Sequence, residues 1–319
     1  MLQKLLCSAV IAALLLPLAG CNSDDPMYEF TRDFNTINLF TPRNTVEPVF
    51  ANECVYYCHF VETETAQASS KVLIYQGQTH SLSIPAVKVE NKFYADGDYA
   101  KFSSPSGSID GGQTQVSDFD CVISGLFYPI PSKVPGVAGV TAYTSPFFIA
   151  QYNIGSLYSV ATFQKDATYA GTTSTVFDYK GQSQAYETTV GFYRVIVNIL
   201  TQKADVVLYN VKFAEQAPQL ILVLKDLDLK LERGGYTITG TDIVPGMPDG
   251  NMLTQNESFP FESFSLKTVS ADLTKIQIEY TVRNKLMEQQ IGNGDKVYYK
   301  GAFTGRYVFD PDDPFYPEN

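Results

Sequence analysis

Apolar residues recur at every second position along much of this chain, and no other feature constrains its fold as tightly. In 225–231, Leu227, Leu229 and Leu231 alternate with Asp226, Asp228 and Lys230. In 275–282, Ile276, Ile278, Tyr280 and Val282 alternate with Lys275, Gln277, Glu279 and Thr281. Successive side chains of a strand point to opposite faces, so such segments bury one face and wet the other, as antiparallel sheets do. Weaker forms of the pattern run through 55–62, 71–76, 81–90, 119–124, 147–154, 157–163, 188–199, 206–213, 219–224, 259–266 and 297–309. Turn pairs punctuate them: Asp96-Gly97, Gly111-Gly112, Gly234-Gly235, Asp249-Gly250 and Asn293-Gly294. No amphipathic helix longer than two or three turns stands out. The expected fold is all-β, an antiparallel sandwich or a barrel-like sheet.

Composition agrees and removes other classes. The 319 residues hold 21 Tyr and 21 Phe but no Trp, and strands favour aromatic and β-branched side chains. Charged residues are 18%, too few and with too much apolar material around them for a disordered chain. A formal charge of −11 argues against a nucleic-acid binder, which needs a basic face to displace counterions.

The N-terminus reads as an address. Lys4 precedes an apolar run, 5–16, and small residues Ala19 and Gly20 lead to Cys21. The run is too short for a membrane span and has the form of a secretory signal over 1–20. Leu18-Ala19-Gly20-Cys21 resembles the bacterial lipobox, which implies cleavage after Gly20 and lipid on the Cys21 thiol. Several acyl chains anchor durably where one does not. Asp24-Asp25 behind it resembles the acidic export signal of surface lipoproteins of the Bacteroidetes, with 21–40 as tether.

Pro129, Pro131, Pro135 and Gly136 mark a breaker-rich linker, 129–145, between a first β unit at 41–128 and a second at 146–319. The alternative is one large β domain over 41–319. An internal likeness favours two related units. The run 71–75 resembles 205–209; a tyrosine precedes each, at Tyr57 and Tyr193; an alternating strand follows each, at 86–90 and 227–231; and a tyrosine follows those, at Tyr99 and Tyr236. Residues 204–213, the Leu-rich strand after them and 235–242 also resemble the calycin-like, lipocalin-related lipoproteins of gut Bacteroidetes, over about 190–309. That resemblance implies a barrel-like sheet, with a ligand in its mouth, and supplies no catalytic residues.

Residues that carry chemistry are few. Cys54, Cys58 and Cys121 remain after Cys7 and Cys21 are set aside. Cys54 and Cys58 in one strand lie about 13 Å apart, too far to bridge. Cys58 or Cys54 could pair with Cys121 if their strands are neighbours; otherwise all three are buried thiols. His59 and His80 are the only histidines, and no C-x-x-C occurs, so no metal site is expected. Adjacent strand residues Cys58 and His59 point apart, which rules against a nucleophilic dyad. The carboxylate pairs Asp226/Asp228 and Asp118/Asp120 fit the wet face of a strand better than a hydrolytic cleft. Acids 310–313 near the C-terminus fit a solvated tail better than a calcium loop. Tyr298, Tyr299, Tyr307, Phe315 and Tyr316 cluster near the C-terminus as candidate ligand-binding aromatics.

The resulting expectation is a protein without catalytic residues or cofactor, held on the outer membrane by lipid and displayed at the surface. It binds an extracellular small molecule, glycan or peptide, or serves a nutrient-uptake complex. The alternatives are a fimbrial or surface-assembly subunit joined through edge strands, and a carboxylate-pair hydrolase.

Overall fold

Alternation here produces closed rings. The computed structural model describes residues 29–44, 49–61, 65–89, 100–124, 130–133, 141–144, 147–180, 182–249, 252–270 and 273–307. The chain begins with β1 (Glu29–Pro42), β2 (Phe50–Val61), β3 (Thr65–Tyr75), β4 (Gln78–Val89), β5 (Ala100–Ile109) and β6 (Thr114–Ser124). β7 (Ile130–Lys133) and β8 (Thr141–Thr144) pair only with each other, and β9 (Phe147–Ile154) and β10 (Tyr158–Phe163) follow. Each strand pairs with the next, β6 pairs with β9, and β10 returns to β1, closing an eight-stranded antiparallel barrel.

The second half comprises β11 (Asp166–Tyr179), β12 (Gln182–Thr188), β13 (Phe192–Asn198), β14 (Lys203–Val211), β15 (Leu220–Glu232), β16 (Gly235–Ile243), β17 (Gly246–Asp249), β18 (Met252–Gln255), β19 (Phe261–Thr268), β20 (Lys275–Arg283) and β21 (Tyr298–Tyr307), with helix α1 (Lys285–Ile291) before the last strand. Pairing runs β11–β13–β14–β15–β16–β19–β20–β21 and returns to β11, a second ring of eight. β12 hangs on β11 outside this ring, and the β17–β18 hairpin hangs on β15. The fold is all-β and barrel-like.

The boundaries differ from the sequence expectation. β1 starts at Glu29, so 29–40 are ring wall and not tether. The 129–145 linker contains the β7–β8 hairpin. Residues 147–163 belong to the first ring, because β9 and β10 supply the partners that β6 and β1 need, and the change of sheet falls at Gln164–Lys165.

Inward residues alternate as anticipated, with bulges that shift the phase. Leu222 and Leu224 are buried, then Leu227 and Leu229, an odd step that a bulge absorbs. Asp226 sits at that bulge with φ +56°, a left-handed conformation that Asp tolerates better than most residues. Its amide donates to Asp205 Oδ1 at 2.9 Å. Asp118 sits at another such bulge, in β6, with φ +53°.

Ile37, Leu39, Ile149 and Phe163 face out of the first ring and join the core of the second. Phe163 stacks on Tyr236 at 5.1 Å, and the Gly234 amide donates to Thr41 Oγ1 at 3.3 Å. The wall of the first ring thereby stops one end of the second. At the other end, Asn284 caps α1 by accepting from the Met287 amide at 3.0 Å. Arg283 grips Glu288 in a fork, Nε to Oε1 at 2.8 Å and Nη2 to Oε2 at 2.7 Å.

That fork sets an acid limit. The guanidinium of Arg283, and secondarily the Val297 amide, hold the Glu288 carboxyl below its ordinary value of 4.5. A carboxyl lowered in the folded state stabilises fully above its unfolded pKa and loses that contribution as the pH falls through the folded value. The melting-temperature advantage over Glu288→Gln should therefore be constant near neutrality and shrink below about pH 4.5. A difference that stays constant down to pH 3 would exclude this linkage.

Candidate functional site

At one end of the first ring, four strand termini deliver aromatic rings to the same place. Phe40 lies near the end of β1, Phe50 starts β2, Tyr75 ends β3 and Tyr158 starts β10. Phe40 stacks on Phe50 at 4.8 Å, and Tyr158 meets Phe50 edge-on at 5.8 Å and Tyr75 at 5.5 Å. Phe40 is fully buried as the floor, while Phe50 and Tyr158 are partly buried at the rim. Burial, and then the neighbouring Tyr158, push the Tyr75 phenol up from its ordinary value.

A polar lock stands beside these rings. His80 Nδ1 lies 2.5 Å from Asp110 Oδ2, and its Nε2 lies 3.1 Å from the Tyr75 carbonyl. Asp110 also accepts from the Ser81 amide at 2.8 Å. His80 first, then Ser81, hold the Asp110 carboxyl below its ordinary value. The Ser81 hydroxyl donates to Asp110 at 3.2 Å and not to the imidazole. The carboxylate thus stands between serine and histidine, which is not the wiring that activates a hydroxyl. What the mouth offers is a flat apolar rim with one phenol, suited to a ring or a planar group.

The C-terminal aromatics do not form one surface. Tyr299 and Tyr307 point into the second ring and are buried, whereas Tyr298 is half-exposed on the opposite face. Tyr299 stacks on Phe213 at 5.4 Å and its hydroxyl accepts from Asn284 Nδ2 at 3.0 Å. The binding reading fails for Tyr299 and Tyr307 because alternation commits them to the core. Phe315, Tyr316 and the lipidation residue Cys21 lie outside the described residues.

Cys54 and Cys58 on β2 and Cys121 on β6 are thiols buried inside the first ring. The condition for a Cys58–Cys121 disulfide is not met: β2 pairs with β1 and β3, and β6 with β5 and β9. Four strand steps separate them, so they face each other from opposite walls. Burial, with Cys58 nearby, pushes the Cys121 thiol well up. Without reductant, a thiol reagent should react slowly with the folded protein and count three thiols, Cys54, Cys58 and Cys121, after denaturation. A count of one would restore the disulfide.

The acid pairs lie on outer faces. Asp228 pairs with Lys203 at 2.5 Å, and Asp118 accepts from Asn153 Nδ2 at 2.6 Å. Cys58 is buried and the adjacent His59 half-buried on the other face. Among the described residues, no three His, Cys, Asp or Glu side chains are grouped to hold a metal ion. Among them, no helix is long and apolar enough to cross a membrane.

The sequence matches no protein-family model and no curated protein. Among the solved structures it matches are the Tyr-167-Ala/Trp-176-Ala double mutant and the Trp-176-Ala mutant of the vaccine antigen transferrin-binding protein B from Haemophilus parasuis Hp5. The first is 6% identical with a TM-score of 0.25, over 89% of this chain and 78% of its own. The second is 8% identical with a TM-score of 0.25, over 88% and 76%.

Proposed function

We propose that this protein is a lipid-anchored, surface-displayed binding protein of the outer membrane, without enzymatic activity, that takes an extracellular ligand or serves an uptake complex. The observation that carries the reading is the partly exposed aromatic rim of Phe50 and Tyr158 over Phe40 at the mouth of a closed eight-stranded barrel. Small up-and-down barrels hold a ligand or close around side chains, and lipocalins have eight such strands. The lipobox and the calycin-like resemblance of 190–309 point the same way.

Thermal-shift titration with neutral oligosaccharides, planar aromatic metabolites and short peptides tests it. One class should raise the melting temperature, and Tyr158→Ala or Phe50→Ala should weaken that ligand at least about tenfold. If no class shifts the protein and pull-down from solubilised outer membrane recovers it alone, the reading falls. A second reading, surface assembly, draws support from β12, whose residues Gln182–Ala185 are exposed and whose only strand partner among the described residues is β11.

A further inference from the structure

Each ring closes where its first strand meets its last, and at that seam the two rings share one register. In the first ring, Phe34 of β1 lies opposite Tyr56 of β2. Six residues on, Phe40 lies opposite Val160 of β10, and Val160 opposite Tyr152 of β9. In the second, Tyr169 of β11 lies opposite Tyr193 of β13. Six residues on, Thr175 lies opposite Gly301 of β21, and Gly301 opposite Tyr280 of β20. Second and seventh strands therefore carry a tyrosine at equivalent places in both rings, Tyr56 with Tyr152 and Tyr193 with Tyr280.

Their positions match, but their hydroxyls are bonded differently. Tyr56 donates to Asn38 Oδ1 at 2.9 Å, and its oxygen lies 2.7 Å from that of Tyr152. Tyr193 lies 3.3 Å from Thr173 Oγ1, whereas the buried Tyr280 hydroxyl makes no hydrogen bond among the described residues. Asn38 comes four residues after Phe34, and Thr173 four after Tyr169. All four tyrosines are buried, and three of the four phenols have a hydroxyl or amide partner. The sequence comparison had aligned Tyr57 with Tyr193, one residue out of phase; Tyr57 is the half-exposed neighbour.

We infer that the two rings are copies of one eight-stranded unit, and that in the first ring the tyrosine pair from strands two and seven, seated on a polar residue of strand one, is the clasp that holds the seam. The seam joins segments more than a hundred residues apart in each ring (Ile37 to Phe163, Tyr169 to Tyr307), so its contacts carry the largest loop-closure cost. A bridge from the strands on either side of the seam holds both of its strands in register.

Amide hydrogen exchange on the full chain tests this. Tyr56→Phe or Tyr152→Phe should speed exchange of the β1–β10 amides about tenfold while β3–β4 and the second ring keep wild-type rates. Tyr280→Phe, which removes a hydroxyl that makes no hydrogen bond among the described residues, should leave β11–β21 at wild-type rates. A gentler pair guards against misfolding: Asn38→Thr, which imports the residue of the second ring, should keep seam protection, and Asn38→Val should lose it. Seam amides no faster than β3–β4 in Tyr56→Phe and Tyr152→Phe, or Asn38→Thr indistinguishable from Asn38→Val, would overturn the clasp.

Discussion

Phe213→Ala is expected to cost about 3–5 kcal/mol. The residue lies just beyond β14, in a connection and not in a strand, yet it is buried to 1% exposure. It stacks on Tyr299 at 5.4 Å and 14°, and meets Phe259 at 5.8 Å and Tyr280 at 6.0 Å. Its ring plugs the end of the second barrel that the first ring does not cover. The surrounding aromatics are mostly held by strand backbones and cannot collapse into the space, so the lost transfer energy and the cavity add. Phe50→Ala, at a partly exposed rim, should cost much less. Denaturant unfolding measures both, and a Phe213→Ala loss below about 1 kcal/mol would show that the plug is dispensable.

The strand content was legible because alternation survives even a single strand. Ile276, Ile278, Tyr280 and Val282 are buried as their spacing required. Closure was not legible. Which strand meets which depends on register, and the bulges that set it occur at Asp118 and Asp226, residues that read simply as wet-face acids. The domain boundary misled for a related reason. Pro129 to Gly136 resembles a linker in composition, but 147–163 must return to close the first ring, and pairing between β1 and β10 leaves no local mark. The candidate site was missed as a set. Phe40, Phe50, Tyr75 and Tyr158 span more than a hundred positions and meet only because hairpin turns bring strand ends together. The C-terminal aromatics drew attention by being close in sequence, and alternation then sent Tyr299 inward.

Gly301→Val tests the fit that this inward face requires. Along β21 the buried positions read Tyr299, Gly301, Phe303, Gly305, Tyr307, large and small in turn, as the interior of a small barrel demands. The tyrosine of the neighbouring strand lies over the first gap. A Cβ on Gly301 would fall 2.1 Å from Cζ of Tyr280 and 2.5 Å from its hydroxyl oxygen. Tyr280 has little room to withdraw, with Phe261 at 5.7 Å and Phe213 at 6.0 Å. Gly301→Ala should cost about 1–3 kcal/mol by overpacking, and Gly301→Val more. The cost is steric and local, so Tyr280→Leu, destabilising alone, should offset part of it, giving a favourable coupling of about 0.5–3 kcal/mol in a double-mutant cycle. Gly77 is the contrast, because nothing lies within 4 Å of its Cβ position and only its φ of +76° opposes a side chain. Gly77→Ala should therefore cost about 1 kcal/mol and show no coupling to Tyr280. If Gly301→Val and Tyr280→Leu simply add, the glycine serves backbone freedom, and the large–small alternation of β21 has no part in how the second ring is filled.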